Sequence, residues 1–237
     1  MSARLRNIAT ENERFVSEGG YTGPGGRWVD LASAAAAAAD GTRTFGPGPV
    51  PVPQTPPGPG ARCTVTGEDS LTAARRLAAA GGGPVAVLNF ASARNPGGGY
   101  VNGAQAQEEA LCRASALYSC LLRAPGFYAH HRAHRDPFYT HRVIHSPAVP
   151  VFRDPGGTLL DEPWAAGFLT SPAPNAGVIA RTLPERAADV GPALDERAER
   201  VLEVAAAQGY RRLVLGAWGC GVFQNDPAQV AGAFRAL

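Results

Sequence analysis

Two stretches of the chain share one plan: a short apolar run, a glycine-rich turn, then a helical pattern. The first is "PVAVLNFASARNPGGGYVNGAQAQEEALCRASALYSCLL" at 84–122, and the second is "RRLVLGAWGCGVFQNDPAQVAGAFRAL" at 211–237. An apolar run without alternation marks a strand buried on both faces, because a half-exposed strand would interleave polar residues. Strand, turn and helix repeated in this order argue for an α/β sandwich, a mixed and mainly parallel sheet between helices. Ligands of such sheets gather at the carboxyl ends of strands. Both glycine turns, after Phe90 and after Leu215, fall there.

The rest of the chain fits around these units. "MSARLRNIATENERFVSE" has helical spacing through Leu5, Ile8 and Phe15, and "WVDLASAAAAAAD" predicts a second helix. Residues 46–60, "GPGPVPVPQTPPGPG", lose backbone donors to proline and predict an extended surface loop. About 45 residues before it are too few for an independent core. Residues 1–60 are therefore expected to pack on the domain formed by 61–237. Within that domain "RCTVTG" predicts a strand. "DSLTAARRLAAAGG" predicts a helix capped by Asp69 or Ser70. "AQEEALCRASALYSCLL" predicts one helix with Leu111, Ala114, Leu117 and Leu121 on one side. "RVIHSPAVPVFR" predicts one or two strands interrupted by prolines, and "AGFLTSPAP" begins as a strand. Residues 183–209 predict a long helical region broken near Gly191-Pro192, and Asp226 with Pro227 opens a last helix.

Composition sets limits on function. Apolar residues are 45 % of the 237, which suits a folded domain. A net charge of +2 is too small for general nucleic-acid affinity and leaves an anionic ligand to local groups. No apolar run is long enough to span a bilayer, and the N-terminus shows no secretory signal. The four cysteines include no CxxC pair, so reduced thiols in the cytoplasm are expected.

The two turns carry the chemistry. Gly97, Gly98 and Gly99 let a ligand approach the main chain closely, although three glycines alone also describe an ordinary surface loop. Gln107, Glu108 and Glu109 open the helix that follows. Acids there also stabilise a helix dipole without any further role. Adjacent residues on a helix point about 100° apart, so the two carboxylates cannot flank a substrate as a facing pair. One can touch a reacting bond while the other holds a neighbouring hydroxyl. In the second turn Gly216, Gly219 and Gly221 precede a helix, where successive N–H groups form an anion cradle. Phe223 follows and can stack on a flat base, or equally serve as core. Together these parts are what an ADP-ribose site requires.

"GGGYVNGAQAQEE" resembles the signature of poly(ADP-ribose) glycohydrolases, GGG and QEE separated here by seven residues. "NFASARNPGGG", "HSPAVPVFRD", "FLTSPAPNAG" and "GAWGCGVFQND" resemble the short bacterial-type members, which have a macrodomain fold. The resemblance spans about residues 5–237. It implies a three-layer macrodomain-like core with an N-terminal helical extension, and hydrolysis of ribose–ribose bonds without metal or cofactor. It implies Glu109 as the catalytic acid and Glu108 as the holder of ribose hydroxyls. Gly97–Gly99 would shape the catalytic loop. Gly219, Cys220, Gly221 and Val222 would wrap the diphosphate, and Phe223 would lie against the adenine side. A polar residue before the glycines would contact the distal ribose, with Asn89, Ser92 and Asn95 as candidates. Gln107 joins the ligand-binding set. Glu109 would start protonated, protonate the departing ribose oxygen, and then activate water. The expected partners are poly(ADP-ribose), ADP-ribose and ADP-ribosylated proteins, with no membrane and no sequence-specific nucleic acid, and the expected state is a monomer. The family continues beyond a helix such as the one at 226–237 with a further strand and helix, so a truncated C-terminus is an expectation.

Two other readings of the same fold stay open: a non-catalytic ADP-ribose reader, and a hydrolase of mono(ADP-ribose) or a related ester. The five histidines of "HHRAHRDPFYTHRVIH" lack acidic or cysteine partners and read as a polar helix and turn rather than a metal site. Cys112, on an apolar helix side, reads as core.

Overall fold

The central strand of the fold is the first apolar run. A computed structural model of the protein describes residues 2–54 and 60–237. Elements run α1 (Ala3–Glu18), β1 (Gly20–Thr22), β2 (Trp28–Asp30), α2 (Ala32–Gly41), β3 (Arg43–Phe45), α3 (Ser70–Ala79) and β4 (Val85–Phe90). They continue with α4 (Gln107–Ala114), α5 (Leu117–Leu121), α6 (Pro125–Ala133), β5 (Val143–Arg153), β6 (Leu159–Ser171), α7 (Ala176–Thr182), α8 (Val190–Ala207), β7 (Arg212–Val214) and α9 (Pro227–Arg235). Five strands form one mixed sheet in the order β3-β5-β6-β4-β7, and β1 pairs with β2 as a separate hairpin. β4 is parallel to both β6 and β7, whereas β5 is antiparallel to β3 and β6. The loops after β4, β6 and β7 therefore leave the same edge of the sheet.

Alternation along β4 divides the interior. Val85 and Val87 face a core shared with α1 through α6. Ala86 and Leu88 face a second core built by α7, α8 and α9 around the buried Trp218. This is the expected three-layer arrangement of helices on both faces of a sheet. Ala9 and Phe15 of α1 and Ala35, Ala38 and Ala39 of α2 sit in the first core with Val149 and Phe152 of β5.

Local chemistry explains where element boundaries depart from expectation. The helix expected from Trp28 begins at Ala32. Trp28–Asp30 pair with β1 instead, and Asp30 Oδ1 then accepts the Ala32 N–H at 2.8 Å. The helix expected across 106–122 is two helices. Ser115 is extended between them, its hydroxyl donating to Leu111 O at 2.7 Å and accepting the Leu117 N–H at 3.2 Å. "RCTVTG" forms no strand: residues 62–67 pair with neither end of the sheet, and Val65 is fully exposed. A strand without a ladder has no independent stability. The break expected at Gly191-Pro192 comes earlier. A 3-10 segment Pro184–Asp189 precedes α8, and Pro192 lies in the first turn of α8, where its missing N–H costs nothing. The prolines of β5 are absorbed within one strand by register shifts at Ser146/Val149 and Val151/Arg153. Of the Pro/Gly stretch at 46–60, residues 55–59 lie outside the described residues. Val50, before them, donates its N–H to Glu203 Oε2 at 2.9 Å.

Candidate active site

Gln107, the first residue of α4, ties the helix to the end of β4. Its Oε1 accepts the Phe90 N–H at 2.9 Å, and its Nε2 donates to Leu88 O at 2.8 Å and Ser70 Oγ at 3.2 Å. This bridge fixes the helix start against the strand end, with Glu108 and Glu109 in the first turn. Asn89 lies between the two bridged residues and points to the α4 side of the sheet. It is fully buried and donates from Nδ2 to Glu108 Oε1 at 3.2 Å and Thr170 Oγ1 at 3.1 Å. The Ser92 N–H donates to Glu108 Oε2 at 2.7 Å. Both oxygens of Glu108 are thus held. Burial pushes its carboxyl up to about 8, against the lowering effect of the Ser92 and Asn89 hydrogen bonds and with a further upward push from Glu109.

Glu109 is held differently. Its Oε1 accepts the Gly99 N–H at 2.8 Å, while its buried Oε2 has no partner among the described residues. Gly98, at φ +58°, folds directly over both acids: a Cβ there would lie 2.5 Å from Glu109 Oε1 and 3.0 Å from Glu108 Oε2. Only glycine satisfies both the left-handed backbone and the close approach. Cys112 is fully buried beneath this loop. Burial and the two carboxylates raise its thiol well above the ordinary range, which is the opposite of an activated nucleophile.

The seven residues between the glycines and Gln107 are not slack. Tyr100–Asn102 form a 3-10 turn, and the buried Tyr100 hydroxyl donates to Glu13 Oε1 at 3.0 Å on α1. Gly103, at φ +73°, accepts the Ser2 N–H at 3.3 Å, and a Cβ on it would lie 2.5 Å from Ser2 O.

The second turn stands beside the first. Ser171 O, at the end of β6, accepts the Ala91 N–H at 3.3 Å and the Trp218 Nε1–H at 2.9 Å, so one carbonyl anchors both loops. Gly216 packs on the Phe90 ring. Asn225 is buried and donates to Pro174 O at 2.8 Å and Gly219 O at 3.1 Å, closing the loop on itself. The N–H groups of Gly219, Gly221, Val222 and Phe223 have no partner among the described residues. Gly221 and Val222 are exposed, Cys220 and Phe223 half-buried.

The sequence-derived residues thus assemble on one edge of the sheet, with unequal freedom. Asn89 is committed to Glu108. The Ser92 hydroxyl accepts the Asn95 N–H at 3.2 Å, and Asn95 is exposed at the loop surface. Gln107 spends its amide on β4. Sequence reasoning missed Tyr139, whose ring centroid lies 5.8 Å from that of Phe223, and Arg94, whose guanidinium lies 6.0 Å from the Tyr139 ring. Tyr139 lies outside both glycine turns, and only the aromatic pair in "DPFY" hinted at it; Arg94 lies in the first turn, just before the glycines, where its charge was not singled out. A cavity of about 680 Å³ lies away from the carboxylates, lined by Arg4, Leu5, Ala106, Ala110 and Asp154 on the outer flank of α4. Among the described residues no three His, Cys, Asp or Glu side chains converge as a metal site, and no helix is long and apolar enough to cross a membrane.

Residues 9–154 match the model of the microbial-type PARG catalytic domain. The chain is similar to the crystal structure of poly(ADP-ribose) glycohydrolase from Thermomonospora curvata, at 49 % identity and TM-score 0.90, over 98 % of this chain and 86 % of that one. It is similar to the same enzyme bound to the inhibitor ADP-HPD, at 49 % identity and TM-score 0.88, over 98 % and 86 % of the two chains. It is also similar to poly(ADP-ribose) glycohydrolase from Deinococcus radiodurans in complex with ADP-ribose, at 47 % identity and TM-score 0.78, over 88 % and 85 %. No curated protein matches significantly.

Proposed function

The chain belongs to the microbial-type poly(ADP-ribose) glycohydrolase family, and on that premise we propose that Glu109 is the acid and base with which it cleaves ribose–ribose bonds of poly(ADP-ribose) and releases ADP-ribose. The inequality of the two carboxylates carries this assignment. Glu108 has both oxygens engaged, whereas Glu109 keeps one buried oxygen unpartnered. A group that exchanges a proton with substrate needs such an atom.

The steps follow from that atom. The proton on Glu109 passes to the departing ribose oxygen as the bond to the anomeric carbon breaks. An oxocarbenium-like centre forms. The Glu109 carboxylate then takes a proton from a water whose oxygen bonds to that carbon, and the acid is restored. Glu108 stays fixed and accepts from ribose hydroxyls through its remaining lone pairs. The unpartnered N–H groups of Gly219, Gly221, Val222 and Phe223 suit a diphosphate, and Phe223 suits the nucleoside. The ADP-HPD and ADP-ribose complexes of the related enzymes support a ligand of this class. The same reading takes ADP-ribosylated proteins as the source of polymer and a single chain as the working unit. The four free thiols support a reducing, cytoplasmic setting.

Glu109→Gln keeps the size of the side chain and removes the exchangeable proton. Release of ADP-ribose from polymer is expected to fall by about 10²–10⁴-fold, with ADP-ribose affinity retained. Turnover at the wild-type rate by this variant would remove Glu109 from the mechanism.

A further inference from the structure

Among the described residues three that are not glycine have positive φ: Tyr139 at 58°, Ala148 at 44° and Gln224 at 58°. Ala148 lies in the β5 irregularity between Ser146 and Val149, which accounts for it. The other two lie on loops far apart in sequence that are joined by a ring contact. Gln224 directly follows Phe223, whose ring is 5.8 Å from that of Tyr139. A bulky aromatic residue in the left-handed region is strained, and such strain persists only where the surroundings impose it.

The surroundings impose it here from several sides. The Tyr139 N–H donates to Asp136 O at 3.2 Å, and the Phe138 N–H donates to Asp136 Oδ1 at 2.8 Å. The Asn175 N–H donates to Pro137 O at 2.9 Å. Arg197, fully buried on α8, donates to Phe138 O and Pro172 O at 2.7 Å each. The Arg186 guanidinium lies 4.2 Å from the Phe138 ring. On the far side, His131 Nε2 and Thr140 Oγ1 are 2.8 Å apart. All of this rigidity presents one ring that is itself only half-buried. That ring stands between Arg94 of the catalytic loop and Phe223 of the second loop. Packing alone gives no reason to hold a half-exposed tyrosine in a strained conformation. A ligand passing between the two loops does.

We infer that Tyr139 is a substrate-binding residue that joins Phe223 in an aromatic seat for the purine nucleoside end of the substrate. The inference rests on the reading of this cleft as an ADP-ribose site. The two rings touch, inclined at 40°, and together offer one aromatic surface on whose open face a flat base can stack. The cationic Arg94 at its mouth suits the adjoining phosphate.

The test compares wild type with Tyr139→Phe and Tyr139→Asn. Asparagine accepts a positive φ but has no ring. Tyr139→Asn is expected to weaken ADP-ribose binding and raise KM for polymer about tenfold, the scale of one lost base–aromatic stack. Its kcat should stay within about twofold and its Tm should hold or rise, because strain is relieved while binding is lost. Tyr139→Phe should bind as wild type. Ribose 5-phosphate, which lacks the base, should inhibit all three equally. Wild-type affinity in Tyr139→Asn would overturn the assignment, as would a parallel loss of ribose 5-phosphate inhibition or a Tm that falls along with affinity. If wild type itself neither binds ADP-ribose nor releases it, the reading of the cleft fails and the inference with it.

Discussion

Glu108 and Glu109 are neighbours on one helix turn, yet their environments make them different chemical groups. Burial raises the carboxyl of Glu108 to about 8. Its folded value lies above the ordinary 4.5, so the unfolded chain gives up this proton first as pH rises. Wild-type stability is therefore expected to fall between about pH 4.5 and about pH 8 and to level beyond. The expected contribution is on the order of 5 kcal/mol across that window. Glu108→Gln should lose this slope, because its amide does not titrate. The Asn89 Oδ1, unpartnered in the native site, can turn to accept the new N–H. Urea unfolding of both proteins at several pH values measures the difference, and parallel pH profiles would contradict it. The type and spacing of these acids were legible in the sequence because glycines and carboxylates lie within one short segment. Their inequality was not, since it depends on Asn89 and on the Ser92 backbone reaching one acid and not the other.

At the scale of elements, the junction of β4 and α4 is set by one side chain. Gln107 pairs with Phe90 N–H and Leu88 O on the strand from the first turn of the helix. Gln107→Ala would leave both groups unpaired. It is expected to cost about 2–3 kcal/mol in urea unfolding. It should also lower polymer turnover, because the acids lose their fixed distance from the glycine loop. A change in stability below about 0.5 kcal/mol would show that the bridge is dispensable. Long apolar runs and capped helices could be read from the sequence, whereas three-residue strands such as β1, β2 and β3 carry too few positions for any periodicity. The unpaired "RCTVTG" shows the converse: strand-like residues form a strand only where a partner edge is available. Tyr139 escaped notice for a related reason. Its role depends on Arg197 and Asn175, both remote in sequence, meeting the 136–139 turn.

For the whole molecule, the N-terminal helix is part of the catalytic architecture. Asn12 is fully buried on α1, donating to Arg113 O on α4 at 2.6 Å and accepting from Arg153 Nε on β5 at 2.8 Å. Asn12→Ala is expected to destabilise the fold by about 1–3 kcal/mol, since it leaves the Arg113 carbonyl and the Nε–H of buried Arg153 unpaired, while Arg153 keeps Glu11 and Gly157 O. Trp218 lies in the other core, across the sheet. If both cores unfold as one unit, Trp218 fluorescence, read with Trp28 and Trp164 replaced by Phe, and the far-UV circular dichroism will shift to the same lower midpoint. Separate midpoints would mean that the two sides of the sheet unfold independently.

The contact between Gly103 and the first turn of the chain gives the signature spacing a second meaning. Gly103 lies within the seven-residue interval between the glycine triplet and Gln107, and it sits against Ser2 with no room for a side chain. The interval is thus a ruler whose length is measured against α1, not against the substrate. One residue added there would have to lift the start of α1 or push Gln107 off β4. The interval between glycines and acids is, on this view, a tolerance of assembly, and drift in it would be penalised in folding before any sugar is bound.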